Sequence, residues 1–265
     1  MTTAMGTALV TGASSGIGAV YADRLAHRGY DLVLVARDAG RLDALAQKLE
    51  AESGRRVEPM PADLTDRAQL ARIEDRLAGD PAITLLVNNA GMSLSGTWLT
   101  VEPEAVERLI ALNTIAPTML ARAAANAFCG RGGGAIVNVA SVLALAPELF
   151  DGAYAGTKAH LLNLSLSIAS KLADQGVYCQ AVLPGTTRTE IFERSGKDLT
   201  SMPAEWVMEA DDLVDAALIG FDRRETVTIP SLPDEAQWTA MLDARLAMVP
   251  NLQNRRVGAR YGIGA

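Results

Sequence analysis

The sequence predicts an α/β fold built on a single doubly wound parallel sheet of about seven strands, with helices on both faces. Three observations carry this expectation. Short apolar strands alternate with helical segments from Thr7 to the last helix, the pattern of strands buried on both faces. The first strand, TALVT at 7–11, runs into Gly12-Ala-Ser-Ser-Gly16-Ile-Gly18 and then a helix to about Arg28, a strand, glycine turn and helix in succession. No Pro/Gly/Ser linker or shift in composition divides the 265 residues, so one domain is expected over 1–265. Within it lie a lid-like segment at about 188–209 and a C-terminal extension at about 231–265.

In that glycine turn, Gly12, Gly16 and Gly18 let the backbone bend sharply and approach a ligand closely. The helix beyond offers free N–H groups and the positive end of its dipole to a pyrophosphate, and Ser14 and Ser15 add hydroxyl donors. DLVLVA at 31–36 reads as the second strand, followed by a helix from Arg37 to Ser53 whose inner face is Leu42, Leu45, Ala46 and Leu49. At the end of a second strand an acidic residue would accept hydrogen bonds from the adenosine ribose of NAD. Here Ala36 and Arg37 stand instead. An arginine there can clamp a 2′-phosphate or serve as a solvated charge at a helix start.

A third strand, Val57 to Met60, leads to Asp63-Leu64, with Asp63 at the carboxyl end where open α/β sheets place ligands, and a helix follows from about Asp66 to Ala78. ITLLV at 83–87 is the fourth strand, closed by Asn88-Asn89-Ala90-Gly91; the paired asparagines can form a turn or bridge neighbouring strands. From Pro103 to Phe128 one long helix carries Asn113 and, four residues on, Pro117. Proline has no N–H for the carbonyl at i−4, so a kink is expected that leaves the Asn113 carbonyl open to a water, unless packing alone dictates the bend. GAIVNVA at 134–140 is the fifth strand, with Ser141 at its carboxyl end, and VYCQAVL at 177–183 the sixth, leading into Pro184-Gly185-Thr186-Thr187-Arg188-Thr189. A helix from Asp211 to Phe221, a strand from Thr226 to Ile229 and a helix from about Asp234 to Met248 complete the chain.

The chemistry concentrates between Ser141 and Lys158. A helix from Asp151, as N-cap, to Gly176, as stop, places Tyr154 and Lys158 at i and i+4 on one face. A phenol with a free pKa of about 10 is a poor acid or base at neutral pH, and a nearby ammonium is expected to lower that value. Such tuning suits general acid–base work.

Composition narrows the remaining classes. A net charge of −7, from 24 basic and 31 acidic residues, argues against a nucleic-acid surface. No apolar run approaches the roughly 20 residues of a membrane span. Cys129 and Cys179 lack neighbouring His or Cys, so no disulfide or zinc site is expected, and a reducing cytoplasm fits. With His27 and His160 as the only histidines, a serine–histidine hydrolase or a metal centre has little to work with.

Taken in order from Thr7 to about Thr189, these motifs resemble the short-chain dehydrogenase/reductase family, whose sheet is of the Rossmann type. TG-x3-G-x-G, NNAG, a helix Asn, a strand-end Ser, YxxxK and PG-x3-T in one chain are jointly specific. The resemblance implies a catalytic tetrad of Asn113, Ser141, Tyr154 and Lys158. Ser141 would hold the substrate oxygen, Tyr154 pass the proton, Lys158 bind the nicotinamide ribose and Asn113 hold a relay water. It further implies a cofactor site with Gly12, Ser14, Ser15, Gly16, Ile17 and Gly18 at the pyrophosphate and Asp63 and Leu64 at the adenine. Asn89, Ala90 and Gly91 would lie on the adenosine side, and Pro184, Gly185, Thr187 and Thr189 at the nicotinamide. With Arg37 in place NADP(H) is the expected cofactor, although Ser15 stands where the family's second basic determinant would precede Gly16, so NAD(H) stays open.

Three departures stand out. Gly156-Thr157-Lys158 replaces the commoner S/A-S-K, and His160 occupies a position usually small. The chain runs on past its last strand as TVTIPSLPDEAQWTAMLDARL instead of ending in Gly-Gly, like a bacterial subgroup with a terminal helix, which bears on the usual tetramer contact.

The expected activity is hydride transfer between nicotinamide and a carbonyl or secondary alcohol. The alternatives are an NAD(H)-dependent alcohol dehydrogenase of the same family and a non-catalytic dinucleotide sensor; the sensor has no need of the complete tetrad. A methyltransferase on a related sheet would want an acidic residue after the second strand and no YxxxK. Apolar residues after the strand ends, including Leu94, Leu143, Phe150, Ile191 and Phe192, point to an apolar substrate. The helices at 103–128 and 151–176 are apolar around more than one face, which with the family likeness points to a homodimer, or a tetramer built on it.

Overall fold

The computed structural model describes residues 5–190 and 202–263. It divides into two compact units, 1–230 and 231–265. The first unit is a seven-stranded parallel sheet in the order β3-β2-β1-β4-β5-β6-β7. Its strands are β1 (Thr7–Thr11), β2 (Asp31–Ala36), β3 (Val57–Pro61), β4 (Ile83–Asn88), β5 (Gly134–Val139), β6 (Val177–Val182) and β7 (Val227–Thr228). The helices between them are α1 (Gly16–His27), α2 (Ala39–Ser53), α3 (Arg67–Gly79), α4 (Pro103–Ile110), α5 (Ala116–Arg131), α6 (Gly152–Leu172) and α7 (Ala210–Asp222).

The chain order reverses between β1 and β4, so the crevice at their carboxyl ends is where this architecture places a ligand. Strands β1, β4, β5 and β6 are central and buried on both faces, which is why they read as continuous apolar runs. Two apolar layers enclose them, one with Tyr21, Leu25, Leu42, Leu213 and Leu218, the other with Leu70, Ile73, Leu77, Leu120 and Phe128. Strand β3 tolerates Pro59 and Pro61 because it is an edge strand with one pairing partner, β2.

Helix ends follow local chemistry. Asp38, Asp66 and Asp151 cap α2, α3 and α6 through their carboxylates, and Gly176 stops the segment after α6 at φ 78°. The second helix thus begins at Ala39 behind an Asp38 cap rather than at Arg37. The last strand is two residues long rather than four.

The largest correction concerns 103–128. A five-residue π segment, Ala111–Ile115, separates α4 from α5, and the Ala116 N–H reaches back five residues to the Ala111 carbonyl. Pro117 has no N–H to offer residue 113, and the chain absorbs the defect as a widened turn with Asn113 at its centre.

In the second unit a helix α8 (Glu235–Ala247), a short helix α9 (Val249–Leu252) and a 3-10 turn at Ala259–Tyr261 contain no buried residue. No described helix is long and apolar enough to cross a membrane.

Candidate active site

The glycine turn after β1 is shaped by close approach. Gly12 has φ 67°, and a Cβ there would stand 2.8 Å from Asn89 Nδ2 and 2.9 Å from Ala90 Cα. A Cβ on Gly18 would collide with the Gly12 carbonyl and Asn89 Nδ2. Helix α1 lacks the carboxylate cap of α2, α3 and α6: Ser15 makes no capping bond and the first turn has no acidic residue. The N-cap side chain thus takes none of the leading N–H groups, which suits an anionic pyrophosphate. Thr189, of the PG-x3-T segment, lies over this turn, its methyl 3.1 Å from where a Gly16 Cβ would be.

Asn89 bridges strands, as one of the two sequence readings had it. Its Nδ2 donates to the Thr11 carbonyl (2.9 Å) and the Gly12 carbonyl (3.3 Å). Thr11 Oγ1 accepts from the N–H groups of Asn89 and Ala90, both at 3.0 Å, and donates to the Val87 carbonyl. Asn88 turns the other way, donating to Asn138 Oδ1 (2.9 Å) on β5 and to the Pro117 carbonyl (3.1 Å), so β4, β5 and the defective helix share one amide.

At the end of β2, Arg37 is exposed. Asp63 is pushed up by burial, but the Thr65 hydrogen bonds and the charges of Arg37 and Arg108 outweigh this and leave it below the usual carboxylate range. Asp38, which follows Arg37, is engaged as the α2 cap, and Arg41 pairs with Glu190 at 2.8 Å.

Ser141, Tyr154 and Lys158 meet where β5, β6 and α6 converge. The Asp151 cap accepts from the N–H groups of Ala153 and Tyr154 and, through its other oxygen, from Trp98 N–H, which fixes both the start of α6 and the loop after β4. Ser141 is buried, accepts from Leu143 N–H and lies within 3.4 Å of the Pro184 carbonyl. Lys158 is buried, donates to the Val139 carbonyl at 2.9 Å, and holds its ammonium 5.8 Å from the centroid of the Tyr154 ring.

The Asn113 side chain is held at three points. Asn113 Nδ2 donates to the Met92 carbonyl (2.9 Å) and to Thr157 Oγ1 (3.2 Å), while Oδ1 accepts from Met92 N–H (2.9 Å). Thr157 in turn donates to the Tyr154 carbonyl. Gly91 lets the loop pass between these groups: a Cβ there would be 3.4 Å from Asn113 Oδ1 and 3.5 Å from Lys158 Nζ.

The expected lowering of the Tyr154 pKa is not what this geometry gives. Burial pushes the phenol up to about 12, partly offset by its hydrogen bond with Ser141, and burial pushes Lys158 down to about 8. Spacing brings the two groups together, but desolvation of each dominates their titration.

Of the residues expected against substrate, Phe150 packs edge-on against Tyr154 at 5.7 Å, Leu143 follows Ser141 in a 3-10 turn, and Leu94 is buried. Ile191 and Phe192 lie outside the described residues, as does half of the expected lid. The ends of that segment are joined through a Thr187–Met208 bridge and an Arg188–Glu209 ion pair at 2.8 Å. Among the described residues no cluster of His, Cys, Asp or Glu has the makings of a metal site.

Residues 6–200 match the family model described as short chain dehydrogenase, and the chain belongs to the short-chain dehydrogenase/reductase family. It is an oxidoreductase of CH–OH and C=O groups. A short-chain dehydrogenase from Sphingobium yanoikuyae solved in complex with NADPH is 53% identical, covering 97% of this chain and 100% of that one, with a TM-score of 0.94. The bulky-bulky ketone specific alcohol dehydrogenase from Comamonas testosteroni is 45% identical, covering 98% of this chain and 99% of that one, with a TM-score of 0.90. A short chain dehydrogenase of Pseudocercospora fijiensis is 32% identical over 70% of this chain, which spans 60% of that relative's length.

Proposed function

We propose that the protein is an NADP(H)-dependent reductase of apolar ketones, running as a secondary-alcohol dehydrogenase in reverse, with Tyr154 as the proton donor. The observation that carries this reading is the meeting of Ser141, Tyr154 and Lys158 beside an uncapped helix α1 and its glycine cradle.

The cradle of Gly12, Ser14, Ser15, Gly16, Ile17 and Gly18 would hold the pyrophosphate, Arg37 a 2′-phosphate, and Asp63 and Leu64 the adenine. Asn89, Ala90 and Gly91 would line the adenosine side, and Pro184, Gly185, Thr187 and Thr189 the nicotinamide. The bound dinucleotide supplies the hydride. That the Sphingobium yanoikuyae relative is seen with NADPH supports the phosphorylated cofactor, as does Arg37 where an acidic ribose acceptor would otherwise stand.

Tyr154, with its pKa pushed up to about 12, is protonated at neutral pH and can give its proton to the oxygen of the carbonyl being reduced, held by Ser141. The phenolate left behind faces the Lys158 ammonium, whose position is fixed by the Val139 carbonyl. Asn113 locks the loop after β4 against α6 through Met92 and Thr157, holding the acid–base pair in register. Phe150, packed edge-on against Tyr154, and Leu143, in the turn after Ser141, are apolar residues in keeping with the bulky ketones named for the Comamonas testosteroni relative.

We also read α4 to α6 as a homodimer contact. Ile110 and Ile115 are exposed although Leu109, Leu120 and Leu161 of the same helical layer are buried.

The test is a size-matched panel of carbonyls assayed with NADPH and NADH. Higher kcat/KM for aromatic and long aliphatic ketones with NADPH is expected. Preference for polyhydroxylated or carboxylated carbonyls overturns the substrate class, and preference for NADH overturns the cofactor.

A further inference from the structure

We propose that Arg41 and Glu190 form a latch that the 2′-phosphate of NADP(H) releases, so that Glu190, by competing for Arg41, sets how strongly the protein discriminates NADPH from NADH. This rests on the NADP(H) reading above and adds to it a specificity-determining pair outside the glycine cradle and Arg37.

The run from Thr187 to Glu190 is fastened at both ends. At one end Thr187 is bridged to Met208 and Arg188 is paired with Glu209 at 2.8 Å. In the middle the Thr189 methyl stands 3.1 Å from where a Gly16 Cβ would be, over the turn that leads into α1. At the other end Glu190 meets the first turn of α2, where Arg41 Nη1 donates to both of its carboxylate oxygens, at 2.9 and 2.8 Å. The same strap thus touches the pyrophosphate cradle and α2, and begins among the residues assigned to the nicotinamide.

Arg41 shares a corner with Arg37. Both stand where β2 gives way to α2, the turn at which this architecture reads the adenosine ribose. Asp38 accepts the Arg41 N–H through one carboxylate oxygen, and its other oxygen lies 3.5 Å from Arg41 Nε. The Arg41 guanidinium is held at the start of α2 between two carboxylates, Asp38 and Glu190, and so has little charge left over for a third anion.

A 2′-phosphate brings about two negative charges into this corner, attracting Arg41 and repelling Glu190, whereas the 2′-hydroxyl of NAD(H) does neither. The Arg41 and Glu190 side chains are 50% and 36% exposed, so water screens their pairing and a phosphate dianion can displace it. NADPH draws Arg41 from Glu190 and frees the α2 end of the strap; NADH leaves it fastened. Because the strap continues back through Thr189 to Thr187, the group carried by the adenosine is felt at the nicotinamide end.

Two nucleotides that reach only the adenosine end test the latch without turnover: adenosine 2′,5′-bisphosphate and adenosine 5′-phosphate, titrated calorimetrically into the whole chain. Glu190→Gln should tighten the bisphosphate about three- to fivefold, the scale of an exposed ion pair, and leave the 5′-phosphate within about twofold of wild type. Arg41→Ala should weaken the bisphosphate at least about fivefold. In the Arg41→Ala background Glu190→Gln should then change bisphosphate affinity by less than about 1.5-fold, since the competition needs the arginine. An unchanged affinity in Glu190→Gln overturns the latch, and so does a gain that persists without Arg41, which would make Glu190 a bare repulsive charge. Amides of residues 187–190 should exchange faster in wild type saturated with the bisphosphate than with the 5′-phosphate, and equal exchange overturns the release of the strap. Equal affinity of wild type for the two nucleotides would overturn the NADP(H) reading and the latch together, whereas a wild-type preference for the bisphosphate that neither substitution alters overturns the latch alone.

Discussion

Replacing Asn113 by alanine tests whether the π segment is held by its side chain. The substitution removes the acceptor for Met92 N–H and the donors to the Met92 carbonyl and Thr157 Oγ1, at 2.9, 2.9 and 3.2 Å. Met92 is half-buried, so water can replace part of what is lost, and each of its two backbone groups left without a partner costs near the low end of the usual range, about 1 kcal/mol. The Thr157 hydroxyl keeps its bond to the Tyr154 carbonyl and adds little. With a small void at a buried position the total is about 2–3 kcal/mol. For a folding unit of this size each kcal/mol shifts Tm by about 2–4 °C, so calorimetry should find a fall of about 4–12 °C. Because Met92 adjoins Gly91, which lies against Lys158 Nζ, kcat should fall about ten- to a hundredfold as the acid–base pair loses its register. A variant melting within about 2 °C of wild type with kcat unchanged would refute this account of the helix defect.

Two further outcomes follow from the site. The unfolded chain holds the Lys158 proton up to its ordinary value near 10.5, the folded protein only to about 8. Between those values the unfolded state binds more protons, so this group makes wild-type stability rise with pH; the Tm of Lys158→Met relative to wild type should therefore drop between pH 7 and about pH 9.5, and a constant or rising difference would contradict it. Arg37→Ala should raise the KM for NADPH by about tenfold or more while leaving that for NADH within about twofold, since only the 2′-phosphate loses a charged partner; an unchanged KM for NADPH would remove Arg37 from the cofactor site.

Much of the fold was legible because parallel strands buried on both faces must be apolar throughout, as in TALVT and DLVLVA, and because helix ends need caps such as Asp151 and stops such as Gly176. The pairing of Tyr154 with Lys158 follows from helical spacing alone. Other features depend on what spacing does not encode. Proline at 117 forbids a regular turn without choosing between a kink and a π segment. The direction of the Tyr154 and Lys158 shifts is set by burial, which only the packed site defines. Thr11 reads as an ordinary strand residue until its hydroxyl is seen serving three backbone groups, and Thr157 as a variant helix residue until it meets Asn113. Asn88 and Asn138 become partners through the register of β4 on β5, where the two face each other. The polar Asn88-Asn89 pair before a glycine was the one signal for that network in the chain itself.

The most direct test of the central claim is the turnover of Tyr154→Phe in the reduction of a diaryl ketone by NADPH, followed as loss of the reduced nicotinamide. Removing the Tyr154 hydroxyl, which the proposal makes the proton donor, should lower kcat by at least about a hundredfold while NADPH still binds and Tm stays within a few degrees. A variant that keeps more than half of wild-type turnover would show that another group supplies the proton.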